Sequence, residues 1–176
     1  MPPAALVFLS GSAVVTLFSW PWLRRRPREH GFYRFFAFEC LLGLTALRLP
    51  AWFDDPFSWH QLISWFILLI SAALAAHSFF LLGRMGRPHG SFENTTVLVR
   101  SGAYRWIRHP LYASLLWLGL GEFFKQPDLA GGLLLAGTGI CLALTARVEE
   151  RENLDRFGPA YEDYCRSTRR FIPFLY

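Results

Sequence analysis

Lysine is nearly absent from this chain: Lys125 is the single one among 18 Lys+Arg residues in 176. Charge of either sign is sparse, at 18% of residues, where a soluble domain carries about a quarter. Three cysteines, Cys40, Cys141 and Cys165, stand without any C-x-x-C pair. That excludes a disulfide scaffold or zinc-finger framework, and they read as packing residues. The histidines His30, His60, His77 and His89 are scattered without ligand spacing, so no metal is expected. There is no internal repeat and no low-complexity run, and the 17% aromatic content excludes disorder. The length allows one domain, residues 1–176.

What is present is apolar: 53% of residues are hydrophobic. A bilayer core takes roughly 20 consecutive apolar residues per helix. Residues 4–23 carry no charge, 35–53 carry only Glu39 and Arg48, and 59–82 only His60, Gln61 and His77 as polar interruptions; 110–124 and 129–146 follow. The expected fold is an all-α integral membrane bundle of five transmembrane helices with a C-terminal cytoplasmic amphipathic helix. The first span lacks a basic leader and an Ala-x-Ala site, so it reads as a retained helix rather than a cleaved signal.

Arginine placement sets the expected orientation. Arg24, Arg25, Arg26, Arg28 and Arg34 follow span one; Arg84, Arg87, Arg100, Arg105 and Arg108 follow span three; Arg147, Arg151, Arg156, Arg166, Arg169 and Arg170 follow span five. By the positive-inside rule both loops and the tail are cytoplasmic and the N-terminus is outside. The basic balance then reports topology and contact with membrane lipids, and no nucleic acid or protein partner is expected. Arginine in place of lysine points to a GC-rich bacterial genome and so to a bacterial inner membrane.

Residues 1–82 read as scaffold helices and 83–176 as the functional part. The connection from Gly83 to Arg108 is too long for a tight turn, and long connections tend to carry function; Thr95, Thr96, Val97, Leu98 and Val99 read as a short extended piece. Spans four and five are expected to form a tight hairpin through Gly131, Gly132, Ala136 and Gly139. No strand precedes these glycines, so they are not a phosphate-cradling loop. Beyond Arg147, Leu154, Phe157, Tyr161 and Tyr164 recur at helical spacing, broken at Gly158-Pro159. That segment is either an interfacial helix or a lid over a site.

Two clusters bear chemistry. Tyr104, Arg108, His109, Pro110, Leu111 and Tyr112 crowd the start of span four, where Pro110 suits a first helical turn whose free N–H groups attract anions. Arg108 and His109 are equally readable as interfacial anchors. Arg147, Glu149 and Glu150 stand at the end of span five, either as a solvated face or, if the hairpin brings them back to Arg108 and His109, as the acidic half of one site. Glu39, Arg48, His77 and Glu122, costly in lipid, are expected to face the bundle interior.

These residues resemble a known family. Gly102-x-Tyr104-x-x-x-Arg108-His109-Pro110-x-Tyr112, Arg147-x-Glu149-Glu150, Phe157-Gly158-x-x-Tyr161-x-x-Tyr164 and Arg170-Phe171-Ile172-Pro173 look like the isoprenylcysteine carboxyl methyltransferase and phospholipid methyltransferase superfamily, over about residues 79–176. The resemblance implies an integral membrane enzyme using S-adenosyl-L-methionine, with a lipophilic substrate entering from the bilayer. It implies cofactor contacts from Thr96, Val97, Leu98, Val99, Tyr104, Arg108, His109, Pro110, Leu111, Tyr112, Glu149 and Glu150, and catalytic roles for Arg147, Glu150 and His109. Arg147 is the implied substrate- or carboxylate-binding cation, and His89 stands where a further polar cofactor contact is expected. Carboxyl O-methylation is the expected reaction. Phospholipid N-methylation, an NADPH-dependent reduction of the steroid 5-alpha-reductase type, and a non-catalytic scaffold are the alternatives.

Overall fold

The computed structural model describes residues 1–25, 29–87 and 95–173. Within them the chain is all-α, in six helices: α1 (Pro3–Arg25), α2 (His30–Arg48), α3 (Trp59–Met85), α4 (Pro110–Lys125), α5 (Leu129–Phe157) and α6 (Pro159–Ser167). Short 3-10 turns lie at Leu49–Ala51 and Gly102–Arg105, and an isolated parallel bridge joins Ile107 to Arg169. The expected extended piece at 95–99 forms no strand.

The helix boundaries follow from local chemistry. Pro110 and Pro159 occupy first-turn positions, where a missing N–H costs nothing. Asp128 caps α5 by accepting the Gly131 N–H at 2.6 Å. Gly158, at φ +56°, ends α5.

Three of these helices, α1, α3 and α5, are long and apolar enough to cross a membrane. The five-span expectation is met to that extent. Five long helices stand where five spans were expected, but α4 has 16 residues, about 24 Å at 1.5 Å per residue, against a hydrocarbon core of about 30 Å. α2 carries Arg34, Glu39 and Arg48 within its 19 residues.

Packing departs from the expected hairpin. α4 packs chiefly on α3 and α5 on α2, with α1 covering α2; the contact between α4 and α5 is smaller. The small residues of α5 are therefore divided. Gly132 and Gly139 face Phe123 and Leu116 of α4, whereas Gly131 faces the Arg48 guanidinium of α2, which a Cβ there would strike. α3 and α4 are tied by the Ser64 hydroxyl donating to the Gly121 carbonyl and the Ser71 hydroxyl to the Ser114 carbonyl, each at 2.7 Å.

Of the polar residues expected to face the interior, Arg48 and Glu122 are buried and Glu39 is half-buried, whereas His77 is exposed and meets the Ala103 N–H instead. Arg48, 1% exposed, pairs with Asp128 at 3.0 and 2.5 Å. Lys125 donates to Gln61 at 2.9 Å and lies 3.4 Å from the Trp65 ring centroid. Thr45 donates to Glu122 at 2.7 Å. These groups close the end of the bundle where α2 and α4 finish and α3 and α5 begin. The opposite, arginine-rich end holds the site.

Candidate functional site

A cavity of about 250 Å³ opens among all six helices at that end. α4 delivers its first turn there because the preceding backbone is pinned. Gly102 takes φ +57° where a side chain would run into His77, and the Ala103 N–H donates to His77 Nε2 at 3.3 Å. Residues 168–170 then run parallel to 106–109. The Arg169 N–H donates to the Trp106 carbonyl at 3.1 Å, and the N–H groups of Arg108 and His109 donate to the carbonyls of Arg169 and Arg170 at 2.7 and 3.1 Å. The Tyr164 hydroxyl donates to the Tyr104 carbonyl at 2.6 Å. The tail is thus a strap that holds the start of α4.

Under the strap lies a buried charge cluster. Arg108 donates through Nε to Glu150 at 2.9 Å and through Nη1 to the Thr168 carbonyl at 2.6 Å and the Cys165 carbonyl at 3.2 Å. Arg170 reaches both Glu150 oxygens, at 2.8 Å from Nη2 and 3.1 Å from Nε. His109 Nε2 lies 3.4 Å from Glu150 Oε1. The two sequence clusters therefore meet on one face of the bundle. Glu149 takes a different place. It lines the cavity and accepts from the Tyr112 hydroxyl at 2.5 Å, and Tyr112 stacks on His109 at 5.5 Å between ring centroids.

Of the expected cofactor residues, Leu98, Val99, Tyr104, Arg108, His109, Leu111, Tyr112 and Glu149 line the cavity. Thr96, Val97, Pro110 and Glu150 do not. Thr96 and Val97 are exposed, the Thr96 hydroxyl donating to the Arg87 carbonyl, and Glu150 sits behind the wall, held by the arginines. Arg147 is exposed and off the cavity, because α5 continues without a break past Ala146 and turns that position outward. His89, Arg26 and Arg28 lie outside the described residues.

α6 places one face against the cavity. Tyr161 and Tyr164 are buried and line the cavity, so the helix covers one side of the hollow. Burial pushes the phenols of Tyr104, Tyr161 and Tyr164 well above their ordinary range, with Glu149 adding to the effect on Tyr104. Phenols so raised keep their protons at neutral pH.

Residues 1–82 also contribute to the cavity wall. Phe18 of α1, Arg34 and Phe38 of α2, and Ala75, Phe79 and Leu82 of α3 line the cavity, as does Asn153 of α5. Arg34 reads from the sequence as a loop residue, but α2 begins at His30. Anchoring of that first turn by Glu152, which accepts from the His30 backbone at 3.1 Å and pairs with its Nδ1 at 2.6 Å, places Arg34 one turn inside the helix. The aromatic run Phe32, Tyr33, Phe35, Phe36 is the signal that the helix starts early.

The arrangement provides a carboxylate, guanidinium groups, an imidazole and phenol hydroxyls around an apolar hollow, suited to a ligand with both charge signs and an apolar partner. No known protein family's profile matches the chain. It is 25% identical over 182 residues to a methanethiol S-methyltransferase of Pseudomonas deceptionensis, across 97% of this chain and 59% of that protein. The chain thus spans about three fifths of the relative's length.

Proposed function

We propose that this protein is a membrane methyltransferase that uses S-adenosyl-L-methionine, with its site at the cytoplasmic face and its acceptor drawn from the apolar side of the cavity. The observation that carries the reading is the meeting of Tyr112 and Glu149 with Arg108 and His109 around one hollow. S-Adenosylmethionine has a carboxylate, an amine, a ribose and a sulfonium, so its site needs both signs of charge and hydroxyl partners. Glu149, held by Tyr112, suits the ribose or amine; His109 and the first-turn N–H groups of α4 suit the carboxylate. When bound, the cofactor supplies an electrophilic methyl group, and the protein's contribution is positioning, worth about 7–11 kcal/mol in favourable cases.

The acceptor is a small or lipophilic nucleophile. Carboxyl O-methylation follows from the sequence resemblance; the name of the Pseudomonas relative supports S-methylation of a thiol. Neither needs a general base if the acceptor arrives ionised. The lid phenols and the rings of Phe38 and Phe79 exclude water from the reacting centre.

Titrating the detergent-solubilised protein with S-adenosylmethionine, S-adenosylhomocysteine and NADPH tests the reading. Selective binding of adenosylhomocysteine, weakened about 10- to 150-fold in Glu149→Gln and in Tyr112→Phe, is expected from loss of a charge-assisted hydrogen bond worth about 1.5–3 kcal/mol. NADPH binding instead would replace the reading with a reductase, and no binding would leave a scaffold.

A further inference from the structure

One histidine of the apolar stretch 59–82 takes no part in the cavity wall. We propose that this residue, His77, is a positioning residue for the cofactor pocket: its imidazole, acting through the Ala103 backbone, sets the Tyr104 ring in the wall. The inference rests on the methyl-transfer reading above and deepens it.

His77 follows Ala72, Ala73, Leu74, Ala75 and Ala76 and lies eight residues, about 12 Å, before the end of α3. A polar group that deep in an apolar helix is costly unless it meets a partner. Its partner is a backbone group in the same need. The 3-10 turn Gly102–Arg105 has no side-chain cap, and a helical first turn leaves N–H groups that the turn itself cannot satisfy. The Tyr104 N–H goes to the Ser101 carbonyl at 3.1 Å, but the Ala103 N–H donates to His77 Nε2 at 3.3 Å. Beside a membrane-crossing helix no water replaces such a bond. The fit is close. Gly102 takes φ +57°, and a Cβ there would lie 2.5 Å from His77 Nε2, so turn and ring approach only because the residue has no side chain.

What the contact fixes is Tyr104. Its ring is 7% exposed, lines the cavity and packs with Leu81 and Val99. The turn is held at two points that bracket residues 103 and 104. α3 takes the Ala103 N–H through His77, and α6 donates to the Tyr104 carbonyl through the Tyr164 hydroxyl at 2.6 Å. With the first hold gone the turn can pivot about the second, and a wall residue misplaced by about 1 Å is enough to weaken a bound ligand. His77 itself stays outside the wall.

The test uses the full chain in detergent and calorimetry with S-adenosylhomocysteine. His77→Gln keeps an acceptor oxygen at the reach of Nε2, and His77→Leu keeps bulk without an acceptor. His77→Leu is expected to weaken binding by about threefold or more, with His77→Gln within about twofold of wild type. Gly102→Ala, which drives a methyl group into the imidazole, should lose affinity similarly. In a Tyr104→Ala background, itself weakened, His77→Leu should add less than about 1.5-fold, because its effect runs through Tyr104. Equal losses in His77→Leu and His77→Gln would make the imidazole a packing group and overturn the proposal. So would wild-type affinity in His77→Leu or Gly102→Ala, or full additivity with Tyr104→Ala. Hydrogen exchange over residues 101–105, read by mass spectrometry, tests the hold without any ligand. Exchange should be about fivefold or more faster in His77→Leu than in wild type and His77→Gln, and equal rates in all three overturn the proposal. If wild type binds no adenosylhomocysteine the methyl-transfer reading falls by itself, and the exchange comparison then decides whether His77 holds the turn.

Discussion

Replacing Glu150 by glutamine removes the single anion that Arg108 and Arg170 share. The wild-type carboxylate takes 2.9 Å and 2.8 Å bonds from the two guanidinium groups, and its side chain is 11% exposed. Glutamine keeps the volume and one acceptor but takes away the negative charge that both guanidinium groups bond. Removing one partner from a buried ion pair costs about 3–5 kcal/mol. For a chain of this size each kcal/mol moves the melting temperature by about 2–4 °C, so Glu150→Gln should melt roughly 6–20 °C below wild type. Arg170→Gln leaves Glu150 paired with Arg108 and should cost less, about 1.5–3 kcal/mol. The double variant removes one of the two guanidinium groups that lost this carboxylate and should be more stable than the sum of the single effects predicts. The assay is thermal unfolding of detergent-purified protein by circular dichroism, with the four proteins in one detergent. A Glu150→Gln melting temperature within 2 °C of wild type, or strict additivity in the double variant, would refute the claim that this carboxylate holds the strap to α4.

Two further predictions concern other contacts. Tyr164→Phe deletes the 2.6 Å bond to the Tyr104 carbonyl, which should cost about 1–3 kcal/mol and make the α6 segment more susceptible to limited proteolysis; an unchanged cleavage rate would count against the lid. Asp128 has its carboxyl held down at about 2 by the hydrogen bond from Arg48 and by the Gly131 N–H. A depressed folded value contributes stability that is fully present above the unfolded value near 3.8 and is lost as pH falls through about 2. Asp128→Asn should therefore melt below wild type at neutral pH, with the gap closing in acid; a gap independent of pH would refute the assignment.

The sequence made the spanning helices legible where composition alone governs: α1, α3 and α5 are long apolar runs and lie where those runs do. It also brought together His109 and Glu150, because motif spacing across a helical return encodes a shared end. The rest depends on packing between elements distant in sequence. Gly131 reads as a hairpin contact, but Arg48 needs that space to reach Asp128, and this draws α5 toward α2. Glu149 and Glu150 are adjacent and look interchangeable. About 100° of helical rotation sends one into the hollow and the other behind it. Arg34 reads as a loop charge because the residues that bury it, Phe18 and Trp22, belong to another helix.

The parallel run of 168–170 along 106–109 has a consequence for how the molecule is made. A nascent chain translated as far as Phe157 already holds the residues of α1 to α5, yet the entrance to α4 is still unfastened. Folding is thereby split into helix formation first and fastening later. The ribosome must deliver Arg169 and Arg170 before the backbone at the start of α4 finds its partners.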